Sequence, residues 1–97
     1  MTPPCRLRVP THLQELIRGL HPDLKRKFRA ALDVIRADPS AGKELRDDLT
    51  GLRSFRLGRF RIIYRFGPWR LIDLIAIGPR RAIYQETLRL LRRTRRP

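Results

Sequence analysis

Apolar residues recur at two different spacings along this chain, and the change from one to the other divides it. Leu13, Leu16, Ile17 and Leu20 fall at i, i+3, i+4 and i+7, which gives a helix one apolar stripe and leaves Gln14, Glu15 and Arg18 to water. Thr11, following Pro10, offers a hydroxyl N-cap for this helix, and Gly19 with the His21-Pro22 break marks its end. Leu24, Phe28, Ala31, Leu32 and Ile35 predict the buried face of a second helix from about Pro22, where proline suits the first turn and Asp23 complements the positive terminus. Asp38-Pro39 stops it, because the residue before proline is pushed out of helical geometry, so the pair reads as an antiparallel helical hairpin. Ahead of it, Cys5 to Val9 can form an edge strand.

Residues 40 to 52 are polar and glycine-punctuated and read as a connector. Beyond them the period falls to two: Phe55 and Leu57 alternate before Gly58, and Phe60, Ile62, Tyr64 and Phe66 after it. This predicts a β-hairpin. With Gly58-Arg59 as a II′ loop, Leu57 pairs with Phe60 and Arg56 stands opposite Arg61. Trp69 to Ile77 is nearly continuously apolar and predicts a central strand covered on both faces, ended by Gly78-Pro79. Gly67-Pro68 allows a two- or three-residue loop before it, so the face on which Asp73 lies is open. The last element, about Ile83 to Arg93, places Ile83, Tyr84, Thr87, Leu88, Leu90 and Leu91 on one arc, and residues 94–97 are expected to fray. The fold class that follows is α+β: a helical hairpin on a small, mostly antiparallel twisted sheet, with a short C-terminal helix, in one domain spanning 1–97.

Charge changes the picture. After Asp48 stand thirteen arginines and no lysine, answered only by Asp73 and Glu86, so this half carries a net +11 of the chain's +14. Such a concentration asks for an external polyanion, and a nucleic-acid backbone is the commonest. The single cysteine, Cys5, has no internal disulfide partner, and no Cys/His cluster has metal-ligand spacing, so neither metal nor cofactor is expected. No apolar run approaches the roughly 20 residues that cross a bilayer, and a cytoplasmic location without membrane contact is the expectation.

The residues with chemical promise are arginines. Arg61 is flanked by the inward-facing Phe60 and Ile62, so the sheet itself would hold its guanidinium in place. Arg59, Arg61 and Arg65 can also be no more than the solvated face of a sheet, but no carboxylate interleaves with them along the strand. Gly78-Pro79-Arg80-Arg81 displays two more arginines after the central strand. Tyr84 can reach the same face, although core packing is the simpler reading for it alone. His12 and His21 sit by the first helix and carry no role. Neither a serine or cysteine nucleophile beside a histidine nor a phosphate-binding glycine loop exists.

The order of these motifs resembles the RelE/ParE superfamily of toxins from toxin-antitoxin pairs over nearly the whole chain. The shared features are the proline stop Ala37-Asp38-Pro39, then Gly42-Lys43-Glu44-Leu45, Leu49-Thr50-Gly51-Leu52, the arginine hairpin Phe55 to Tyr64, and the closing run Ile77 to Tyr84. The resemblance implies a RelE-like fold whose sheet cradles messenger RNA in the ribosomal A site and cuts it without metal, with a cognate antitoxin masking that surface. On this basis Arg61, Arg80 and Tyr84 are the expected catalytic residues, and Arg56, Arg59, Arg65 and Arg81 the expected phosphate contacts. Pro79 departs from the pattern, since many relatives carry histidine there. The ParE branch acts on DNA gyrase and generally lacks the full arginine and tyrosine set, so the ribonuclease branch is favoured. Gyrase inhibition and an inactive antitoxin-binding relative are the alternatives.

Overall fold

Pro10, at φ −57° and ψ 151°, turns the chain from a short strand, β1 (Arg6–Arg8), into the helix α1 (Thr11–Arg18). The carbonyl of Pro10 accepts from the amides of Leu13 and Gln14. Pro10 is therefore the cap residue, and the expected Thr11 hydroxyl cap does not form: Thr11 is already the first helical residue. The helix α2 (Pro22–Ala37) starts as expected, with His21 as its cap and the His21 Nδ1 accepting from Asp23 N at 3.3 Å. It stops at Asp38, whose carboxylate accepts from Ser40 N at 3.1 Å and carries the chain into a single 3-10 turn at Pro39–Ala41. The computed structural model describes residues 5–79 and 82–95, with side chains to residue 92.

The supposed connector contains an edge strand, β2 (Lys43–Glu44), which pairs antiparallel with β3 (Arg53–Leu57). Two residues are too few to show a period, which is why polarity concealed it. β3 and β4 (Phe60–Gly67) form the hairpin, and β5 (Leu71–Pro79) follows. The order across the five-stranded sheet is β1-β5-β4-β3-β2, with β1 parallel to β5 and the other pairs antiparallel. The last strand begins two residues later than expected, at Leu71, and runs on through Pro79. Gly67 pairs with Leu71, so the intervening loop is Pro68-Trp69-Arg70, in which Trp69 (φ 63°, ψ 26°) and Arg70 (φ 54°) both take left-handed backbone. Each such non-glycine residue costs roughly 1 kcal/mol or more.

Side chains leave the sheet toward two separate clusters. On one face Ile62, Tyr64, Ile72, Leu74 and Ile77 meet Leu13 of α1 and Phe28, Ala31 and Ile35 of α2. Leu24 and Leu32 stay half-buried at its margin, and Leu16, expected inside, is 45% exposed. On the other face Leu52, Ile63 and Ala76 meet Ile83 of the closing helix α3 (Ile83–Arg95). A bulge sets the faces: Ile63 pairs with Ala76 but Tyr64 with Leu74, leaving Ile75 as an extra residue in β5. Ile75 and Ala76 therefore both pack toward α3. The helix α3 extends to Arg95, past the Thr94 at which fraying was expected. Thr87, fully buried within it, satisfies its hydroxyl by donating to Ile83 O at 2.7 Å.

Tyr64 fastens the connector to the sheet. Its ring is fully buried, its hydroxyl donates to Pro39 O at 2.6 Å, and it accepts from Gly42 N at 2.9 Å. Burial raises the pKa of this phenol, against the opposing pull of the Gly42 amide and the Arg53 guanidinium. A raised folded value means that this contribution to stability is complete below the ordinary phenol pKa of about 10 and is lost as pH rises through the folded value. Urea unfolding midpoints should thus fall above about pH 10, and Tyr64→Phe should lack that fall. At neutral pH the same variant leaves the Gly42 amide and Pro39 carbonyl unpaired and should lose about 1–3 kcal/mol.

Candidate active site

The hairpin turn fixes the site. Gly58 takes φ 59° and Arg59 does not share a positive φ, as a II′ turn with glycine first requires. The register follows as the sequence predicted, with Leu57 opposite Phe60 and Arg56 opposite Arg61. Side chains directly opposed across an antiparallel pair have Cβ atoms about 4.5–5.5 Å apart, so two guanidinium stems rise together from one face. It is the α3 face, since Ile63, two residues along from Arg61, lies in the cluster beneath that helix. Arg56 is exposed and Arg61 half-buried, so Arg61 is held along its stem while its neighbour is solvated.

Gly78 of β5 is in register with Arg61 on the other side. A Cβ built on Gly78 would lie 3.1 Å from Ile83 Cδ1, so the start of α3 comes down onto this glycine. The amide of Ala82 donates to Pro79 O at 3.2 Å and begins that descent. Tyr84, one residue further on, is half-buried against the cluster of Leu52, Ile63, Ala76 and Ile83, on the same side of the sheet as the arginine pair. Both sequence readings of Tyr84 thus meet in one place: it packs, and it does so over the arginine-bearing face. Arg80 and Arg81 lie outside the described residues.

The other arginines distribute less evenly. Arg59 is exposed in the turn beside the pair. Arg65 is exposed on the same face, four residues or about 13 Å along the strand from Arg61, and is in register with Asp73. Asp73 Oδ1 lies 3.2 Å from Arg8 Nε. A carboxylate does reach the arginine face, supplied by the adjacent strand. Reading β4 alone misses it, and the face of Asp73 is settled only by the Gly67–Leu71 closure, which the sequence left open. The consequence is an uneven field: partly neutralised at the Arg65 end, and without an ion pair at Arg56 and Arg61 among the described residues. Like charges opposed in this way destabilise a sheet unless an anion lies between them.

Two helices on a five-stranded, mostly antiparallel sheet closed by a third helix make the RelE fold. The family model described as the ParE toxin of the type II toxin-antitoxin system, parDE, matches residues 8–84, and the chain belongs to that family. Among solved structures, it is similar to the RelBE2 toxin-antitoxin complex from Mycobacterium tuberculosis, with 25% identity over 79% of this chain and 99% of that one and a TM-score of 0.68. It also resembles the archaeal RelE-RelB complex from Pyrococcus horikoshii (22% identity, 78% and 94% coverage, TM-score 0.66). A double arginine-to-alanine variant of Escherichia coli RelE in the free state superimposes over 96% of this chain and 99% of that one at 15% identity, with a TM-score of 0.72. No curated protein matches the sequence. Among the described residues, no helix is long and apolar enough to cross a membrane.

Proposed function

We propose that this toxin is an endoribonuclease that cuts messenger RNA during translation without a metal ion, and that a cognate antitoxin covers its arginine face. The observation that carries this reading is the Arg56–Arg61 register: two arginines opposed on one face of the sheet, Arg61 half-buried along its stem and flanked on its other side by Gly78. Their mutual repulsion falls when a phosphodiester enters. The 2′-hydroxyl attacks the adjacent phosphorus in line, forming the new O–P bond as the bond to the 5′-oxygen breaks. The products are a 2′,3′-cyclic phosphate and a 5′-hydroxyl, with the 2′ proton passing to solvent or a base and the leaving oxygen gaining one. Arg61 and Arg80 offer paired N–H donors to the non-bridging oxygens as negative charge grows there, and they stay ionised at any cellular pH.

Arg56 holds the neighbouring phosphate, and Arg59, Arg65 and Arg81 contact the backbone farther out. Tyr84 orients the 2′-hydroxyl or stacks on a base. Pro79 stands where many relatives have a histidine, so proton transfer rests on groups outside that position. Alignment of the message by the ribosome then supplies much of what a dedicated acid and base would, since fixed proximity can contribute several kcal/mol.

The family match favours a second reading, in which the same basic face inhibits DNA gyrase without cleaving anything. Primer extension on translated transcripts after induction separates the two. The ribonuclease reading predicts cuts inside codons of translated messages. Double-strand DNA breaks with intact messages would establish the gyrase reading, and absence of growth arrest would leave only antitoxin binding.

A further inference from the structure

We infer that Trp69 is a stacking platform for an unpaired base of single-stranded RNA, a contact separate from the arginine pair. It is the only tryptophan in the chain and is 83% exposed. Tryptophan is highly buried on average, and this indole is presented almost wholly to water. The loop that presents it is fixed at both ends. Gly67 pairs with Leu71, Trp69 and Arg70 are both held in left-handed backbone, and Arg6 Nη2 reaches Trp69 O at 3.5 Å. Unfavourable backbone imposed by the flanking strands, at a position that buries nothing, is the pattern of a group kept ready for a ligand.

The surroundings specify what that ligand is. Arg70 shares the loop, Arg6 approaches it from β1, and Arg65 lies two residues before Gly67. An exposed flat ring in a loop flanked by arginines complements a polyanion that also has flat apolar faces. Single-stranded nucleic acid fits this description, with bases free to stack and phosphates to meet the arginines, whereas a duplex hides its base faces. That the strand is RNA rests on the proposed ribonuclease activity. From Arg61 to Gly67 the strand β4 covers about 20 Å, so the platform grips the message several nucleotides away from the scissile bond. Its part is to hold and register RNA.

The test uses the full chain and a fully 2′-O-methylated single-stranded oligonucleotide of about 12 nucleotides, which lacks the attacking hydroxyl and cannot be cut. Because Trp69 is the sole indole, its emission reports the contact directly. Binding should quench that emission and shield the indole from acrylamide. Trp69→Ala should weaken binding about tenfold by anisotropy of a labelled oligonucleotide, with unchanged circular dichroism, while Trp69→Phe keeps most of the affinity. Failure to bind, binding with emission and acrylamide access unaltered, or a response only to the antitoxin would each overturn the proposal. Quenching in a protein that cuts no message would keep the platform and remove the ribonuclease reading instead.

Discussion

Arg61→Ala should abolish growth arrest and the codon-internal cuts in translated messages, with the folded structure retained. A single positioned donor to developing phosphoryl charge is worth roughly 10²–10³ in rate, and a toxin slowed that far falls behind the turnover of messages in a growing cell. Arg61→Lys should recover little, because an ammonium keeps the charge and loses the planar fork that meets two oxygens at once. Arg61→Gln separates chemistry from folding. It keeps a polar stem against the half-buried surroundings and removes the repulsion from Arg56. At low salt this variant should unfold at the same urea concentration as the parent or slightly higher while remaining inactive. Full cleavage by Arg61→Ala, measured by primer extension, would relocate the reaction elsewhere on the protein.

Gly42→Ala should cause the largest loss of stability from so small a change. The backbone of Gly42 is ordinary, at φ −79°, so no conformational freedom is at stake. The obstacle is space: a Cβ there would lie 2.6 Å from the Tyr64 hydroxyl oxygen and 2.8 Å from its Cε1. Tyr64 is fully buried and cannot swing away, so either its ring leaves the hydrogen bonds to Pro39 and Gly42 or the chain at 39–42 lifts off the sheet. Overpacking and the lost bonds together should amount to about 3 kcal/mol, or roughly 15 °C in Tm for a domain of this size. Removing the hydroxyl relieves the shortest contact, so Gly42→Ala combined with Tyr64→Phe should cost less than the sum of the two single changes. Additive losses would show that the two residues do not share this contact. Gly51 serves as a contrast: its Cβ would meet nothing within 4 Å, and its φ of 94° is the sole reason for glycine there.

Gly58 and Gly42 show what can be read from a sequence and what cannot. The Gly58-Arg59 turn acts locally: glycine at a positive φ between alternating apolar residues fixes a register, so the opposition of Arg56 and Arg61 was legible from ten consecutive residues. The two amphipathic helices and the closing one were legible for the same reason, because a stripe repeats within its own element. Gly42 is different, since its need arises from a ring 22 residues away in sequence. The strand β2 is too short to carry a period, and the face of Asp73 depends on a three-residue loop after Gly67 whose left-handed Trp69 and Arg70 no local pattern announces. Trp69 was assigned to a strand because it is apolar. The tight closure from Gly67 to Leu71 turns it outward instead. Tyr84 lies on the apolar arc of α3 and packs on the arginine-bearing side of the sheet, so its two readings could not be separated by periodicity.

The parallel pairing of β1 with β5 has a consequence in time. Residues 6–8 find their partners only at 71–73, and Cys5 is tied to α2 by its amide to Arg36 O at 3.0 Å and by the Arg36 guanidinium to its carbonyl at 2.9 Å. Contacts so distant in sequence form late in folding, after the local helices and hairpin. Until they do, the sheet lacks its β1 edge and β5 has a neighbour on one side only. For a toxin of a toxin-antitoxin pair, this delay gives an antitoxin already present in the cell the first opportunity to bind.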